Sequence, residues 1–251
     1  MRSANIGMKV AVVACASITV AYLVLQPFPR PLYVLSNTSE TALSLILLLL
    51  SIYAMKKETL FVKPTRWLMF GFLMWSLGEI TYSIYALFLG IAIPYPSIAD
   101  LFWLTGYPFL LVGMALFIWP FRSAIKRESL EVAIGLSVVA CVLVAVFLII
   151  PVTSISSDLS TNLVGFAYPI ADIGLLFASV LGFQLFRGGK VARGWYLLAL
   201  GAFLFSIADI LFSYATARGA YFDGDPLELL FDYGYVYFGL CLYIQLKGLW
   251  E

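Results

Sequence analysis

The sequence contains no histidine. That excludes His-ligated haem, the usual His-bearing zinc centres and a histidine general base, and with them many intramembrane enzymes. Charge is scarce too: Asp, Glu, Lys and Arg make up 12% of the 251 residues, against 63% hydrophobic, which is more apolar surface than one soluble core can bury. Cysteine occurs three times, at Cys15, Cys141 and Cys241, each inside an apolar run, so no disulfide framework is implied and small buried hydrophobes are expected. No Gly-x-Gly-Asp protease element and no Asp-rich diphosphate-binding motif is present, and no Lys sits mid-span to carry a Schiff base. The chain is therefore read as a non-enzyme, without cofactor and without a nucleic-acid partner.

What the chain does have is long apolar runs, too continuous for outer-membrane strands, which alternate in segments of about ten residues. They fall roughly at 8 to 26, 38 to 55, 67 to 91, 98 to 120, 130 to 151, 163 to 186, 193 to 216 and 227 to 247. Each is near the ~20 residues needed to cross the hydrocarbon, so the expected fold is all-α: a polytopic bundle of eight transmembrane helices forming one domain over 1–251. The N-terminal run could be read as a signal peptide with Val12-Val13-Ala14-Cys15 as a lipoprotein cleavage site. The apolar stretch before Cys15 is too short for that and continues well past it, so it reads as the first span.

Orientation follows from the basic residues. Thirteen of them, including Lys9, Lys56, Lys57, Arg122, Arg127, Arg193 and Lys247, fall on one side, and two, Arg30 and Arg218, on the other. The positive-inside bias places both termini in the cytoplasm of a multi-pass cell-membrane protein. The outside loops are then about 27 to 37, 91 to 98, 151 to 163 and 217 to 226. Asn37-Thr38-Ser39 matches a glycosylation sequon there, too close to the second span for ready use.

Sliding the chain on itself by about 130 residues lays Trp75-Ser76-Leu77-Gly78-Glu79 over Phe205-Ser206-Ile207-Ala208-Asp209, Glu40 over Asp172 and Asp100 over Asp232. Four spans per repeat make the halves, about 1–124 and 125–251, parallel and related by a pseudo-twofold along the membrane normal. Glu40, Asp100, Asp172 and Asp232 lie within about two turns of the outer ends of their spans, and Glu79 and Asp209 past the midpoints of theirs. Six carboxylates thus converge on one leaflet, with no Lys or Arg in the outer half of any span to neutralise them. Glu128 and Glu131 differ: they begin the fifth span beside Lys126 and Arg127 and read as ordinary helix-start acids.

Ser76, Tyr82 and Ser83 share the helical face of Glu79; Ser206, Phe212 and Ser213 share that of Asp209; Trp103 and Tyr107 lie below Asp100, and Tyr235 below Asp232. Carboxylates walled by Tyr and Trp suit a cation, above all an organic ammonium that uses both charge and ring faces. The plainer reading is that interfacial aromatics belong at membrane boundaries anyway, and that Asp100, Asp172 and Asp232 cap helices opening near Pro96 or Pro169. Glu79 and Asp209 are too deep in their spans to be caps. Pro108 is expected to kink the fourth span and is a candidate hinge, and Gly174, Ala178 and Gly182 form a small-residue stripe suited to a close helix contact.

The acidic span ending in Tyr82, the Tyr95 to Gly113 stretch, the Tyr168 to Asp172 element and the Asp209 and Asp232 spans together resemble the eight-span N-terminal membrane region that precedes diguanylate cyclase, phosphodiesterase or histidine kinase modules in bacterial signalling proteins. The resemblance implies a sensory input module. This chain ends at Glu251 directly after the last span, so the resemblance implies a separate cytoplasmic signalling partner, a larger protein of which this is a piece, or another use of the fold. The expected function is a membrane sensor or receptor binding a cationic or polar small ligand through Glu79, Asp100, Asp172, Asp209, Asp232 and Glu40 with Tyr82, Trp103, Tyr107 and Tyr235. The alternative is a secondary transporter coupling ions or protons through the same carboxylates. The cytoplasmic half offers it little beyond Gln184 and Gln245.

Overall fold

The computed structural model describes residues 2–57, 61–91, 93–146, 159–186 and 192–247. Among them the chain forms an all-α bundle of eight long helices: α1 Arg2–Leu25, α2 Pro29–Lys56, α3 Val62–Ser83, α4 Ile98–Ile118, α5 Arg127–Val144, α6 Leu159–Leu185, α7 Ala192–Ala217 and α8 Leu229–Leu246. Seven segments are long and apolar enough to cross a membrane; they comprise every helix but α5. The described part of α5 opens with Arg127, Glu128 and Glu131, and the outer part of the expected fifth span, with most of the expected 151 to 163 loop, lies outside the described residues.

Two boundaries differ from the sequence expectation, the starts of α2 and α6. The expected outside loop at 27 to 37 is helical from Pro29 onward, because Pro29 and Pro31 occupy the first turn of α2, where a missing N–H costs nothing. The sequon therefore lies inside a helix, with Asn37 buried and its Nδ2 donating to the Tyr33 carbonyl at 2.9 Å. Past Ser83, α3 continues as a wider π turn over Ile84–Leu89, released at Gly90 with φ 61°. The sixth helix starts at Leu159 and runs through Pro169, so Asp172 sits in its interior and is not a cap. Likewise α4 continues through Pro108.

The outward faces of α1 and α5 carry Val10, Val12, Leu23, Val138, Val139 and Val142, each more than half exposed. In water these rows would form an aggregating patch; against lipid tails they are in their own medium. Inside, the core is aromatic. Trp75 of α3 stacks on Phe205 of α7 with centroids 4.4 Å apart and meets Tyr107 of α4 and Tyr235 of α8 edge-on at 5.5 and 6.3 Å. Two glycines admit these rings. A Cβ at Gly106 would lie 2.5 Å from the Trp75 ring and one at Gly234 would lie 2.4 Å from the Phe205 ring, so α4 approaches α3, and α8 approaches α7, to backbone contact. Gly182 of the expected small-residue stripe seats Trp195 of α7, and Gly174 faces Leu111 of α4. Crosswise packing of α2 on α8 and of α4 on α6 closes the bundle. Cys15, Cys141 and Cys241 are free thiols.

Candidate functional site

The carboxylates fall into two groups, each hydrogen-bonded to a tyrosine that also touches the aromatic centre. In the first, α6 and α7 present Asp172 and Asp209, whose carboxyl groups interact directly. Tyr107 of α4 reaches both, its hydroxyl 2.9 Å from Asp172 Oδ1 and 2.5 Å from Asp209 Oδ2. A phenol has one proton to donate, so one of these two contacts needs a proton or a cation from elsewhere. Asp172 is 1% exposed, and its Oδ2 has no hydrogen-bond partner. Beside this group Asp100 closes a capping box on α4, accepting from the Ser97 backbone N–H at 2.7 Å and the Ser97 hydroxyl at 2.9 Å, while Tyr168 donates to its other oxygen at 2.9 Å. Asp100 is thus both a cap and a link to α6.

In the second group, α2 and α3 present Glu40 and Glu79, which again face each other. Glu79 Oε1 accepts from Tyr235 of α8 at 2.8 Å and from the Trp103 indole of α4 at 3.2 Å. Asp232, in the first turn of α8, interacts with Glu79 and Glu228. Ser39 faces it outside hydrogen-bond geometry: Asp232 is wholly buried, neither of its oxygens has a partner, and its side chain caps nothing. Glu228 is the opposite case, with Oε1 accepting from Tyr221 at 2.7 Å and the Gly224 N–H at 3.0 Å and Oε2 from Tyr22 of α1 at 3.0 Å.

Among the described residues the one ion pair is Arg127–Glu131, on the surface of α5 at 2.8 Å, so none of these carboxylates has a Lys or Arg partner. No three acidic, cysteine or histidine side chains among them are placed to hold a metal ion. Tyr82, expected beside Glu79, turns to the loop before α8 and donates to Asp223 at 3.0 Å. Burial holds the Asp223 carboxyl above the usual range, partly offset by that bond, and burial with the facing Glu228 pushes the Tyr221 phenol up. An open cleft of about 440 Å³ between α4 and α6, lined by Ser97, Asp100, Thr105, Pro108 and Val164, borders the network.

The structure therefore joins Tyr107 to Asp172 and Asp209, and Tyr235 and Trp103 to Glu79, and it sends Tyr82 elsewhere. Glu228, Tyr22, Tyr221 and Asp223 belong to the network without having been singled out by sequence, and Tyr168, read there only as part of the Tyr168 to Asp172 element, supplies the bond to Asp100. The one available signal was the spacing of Glu228 to Tyr235, which repeats that of Asp100 to Tyr107. Compared with known proteins, the chain matches no family model, no curated protein and no solved structure.

Proposed function

We propose that the protein is a membrane sensor or receptor module that binds a small cationic or polar ligand through its carboxylates, the buried Glu79, Asp172 and Asp232 and the half-buried Asp209 foremost, with Tyr107, Tyr235 and Trp103 as walls. The observation that carries this reading is Asp232: a wholly buried carboxylate with two unpartnered oxygens among other acids and no basic side chain. Such a group is costly to keep in a bilayer interior unless something positive compensates it.

In this reading the bundle has eight spans in two parallel halves of four, with both termini in the cytoplasm as the distribution of basic residues favours. Support for the repeat comes from equivalent residues in equivalent roles: Gly106 admits Trp75 as Gly234 admits Phe205, and Tyr107 and Tyr235 each hold a carboxylate on the penultimate helix of the opposite half. These equivalences set α4 against α8 one helical turn away from the register of the Asp100–Asp232 match and pair Asp100 with Glu228. The likeness to sensory membrane regions assigns the output to a cytoplasmic signalling partner, reached by small shifts of α4, with Pro108 as its hinge, and α8.

Transport is the second reading. Gln245, in the half of the bundle away from the acids, is tied to Thr65 at 2.7 Å, which favours a closed inner half and therefore sensing. Titrating the detergent-purified chain with ammonium and alkylammonium salts against potassium salt at equal ionic strength tests ligand binding: the wild type should gain melting temperature, and the Glu79→Gln/Asp209→Asn double variant should not. An equal gain in both would refute the assignment. Uptake into proteoliposomes would overturn sensing in favour of transport.

A further inference from the structure

The proposed ligand site has an internal arrangement that bears on how many ligands it takes. Glu40 and Glu79 stand on the adjacent helices α2 and α3, and Asp172 and Asp209 on the adjacent helices α6 and α7, about 130 residues later in the chain. Each pair interacts within itself. Each is closed by a tyrosine from the other half: Tyr235 of α8 reaches Glu79 at 2.8 Å, and Tyr107 of α4 reaches Asp209 and Asp172 at 2.5 and 2.9 Å. The Trp75–Phe205 stack is touched edge-on by both tyrosines. Among the described residues each tyrosine hydroxyl bonds one pair and not the other, so the pairs have separate donors, with Glu79 and Asp209 still within electrostatic reach of each other.

We infer that the bundle holds two separate cation sites, Glu40–Glu79–Tyr235 and Asp172–Asp209–Tyr107, each for one small N–H cation such as ammonium or a primary amine. The inference rests on the ligand reading above and deepens it. In each site something is left for the ligand to satisfy. At the second, Asp172 Oδ2 is buried without a partner, and the single Tyr107 proton cannot serve two carboxylates. At the first, both oxygens of Asp232 are unpartnered beside Glu79. Unpartnered acceptor oxygens call for a donor as well as a charge, which an ammonium supplies with its N–H groups and a bare alkali ion does not. Among the described residues no trio of ligating side chains converges as a divalent metal would require.

The test reads the melting temperature of the full chain in detergent against ammonium chloride and methylammonium chloride, with potassium chloride at the same ionic strength as the baseline. Two independent, similar sites contribute twice the stabilisation of one at a given concentration. Glu40→Gln with Tyr235→Phe disables the first site and Asp172→Asn with Tyr107→Phe the second; the single Tyr→Phe variants, which keep the rings, stand in should either pair fail to fold. Each disabled form should retain about half of the wild-type shift, and the form lacking both should retain none. If one disabled form loses the whole shift while the other keeps it all, there is a single site, and the inference fails while the ligand reading stands. If both keep it all, the cation binds elsewhere. A wild type with no ammonium-specific shift overturns the ligand reading together with the inference.

Discussion

Tyr107→Phe removes one oxygen and leaves the ring in place against Trp75 and Tyr168. The residue is 2% exposed, and its hydroxyl serves carboxyl oxygens on two other helices. In membrane bundles one side-chain hydrogen bond contributes on average about 0.6 kcal/mol and at most about 1.7, because the unfolded chain in the membrane finds other partners. The larger effect is on Asp172. Its Oδ2 is already unpartnered, and the substitution takes away the donor to Oδ1 as well; a buried acceptor left without a donor costs about 1–3 kcal/mol. The stranded carboxylate therefore dominates, and the expected loss is about 2–4 kcal/mol. Tyr82→Phe is the internal control: it too removes one phenol bond, but to Asp223 in a loop that water can serve, for at most about 1 kcal/mol. Unfolding by SDS in mixed micelles, followed by tryptophan fluorescence, reads both. A Tyr107→Phe loss no larger than that of Tyr82→Phe would refute the reasoning. A cycle with Asp172→Asn should show a coupling above about 0.5 kcal/mol, since the two residues are in contact.

Gly106→Ala places a methyl 2.5 Å from the Trp75 ring and 3.1 Å from the Gly71 carbonyl, so α4 must move off α3; overpacking of this kind costs about 1–3 kcal/mol, and a neutral effect in the same assay would show that the helices do not approach as described. Asp223 gives a pH signature. Burial raises its folded value above that of the unfolded chain, so the native state binds more protons in that window, and its contribution is present below the unfolded value of about 3.9 and lost as pH rises through the raised one. Asp223→Asn should flatten that part of the stability curve, and an unchanged curve would contradict the assignment.

Periodicity and charge made the helices legible. Apolar runs near 20 residues predicted the long apolar helices, and the helix-forming physics of α2 was hidden only because Pro29 and Pro31 read as loop residues when they open a helix. The acids were legible as oddities, carboxylates in apolar spans, and Glu79 and Asp209 stood out as too deep to cap. Their partners were not. Which phenol reaches which carboxylate depends on how α4 crosses to α6 and α8 to α2, a tertiary fact with no trace in any one helix's pattern. Tyr82 lies one turn beyond Glu79 on the same face yet turns to Asp223, whereas Tyr107, far from Asp209 in sequence, touches it. Glu228 escaped notice because it lies beside a loop proline, where an acid reads as an exposed helix start.

The most direct test of a cation held among buried acids is Asp232→Asn, read as melting temperature with and without ammonium. Without it, the variant should melt at or above the wild type, because a buried carboxylate with two unpartnered oxygens is replaced by a neutral amide of the same shape. With it, the wild type should gain distinctly more than the variant. A variant that melts well below the wild type without ammonium and gains just as much with it would contradict the account, for Asp232 would then be a paired structural group and not an acceptor waiting for a ligand.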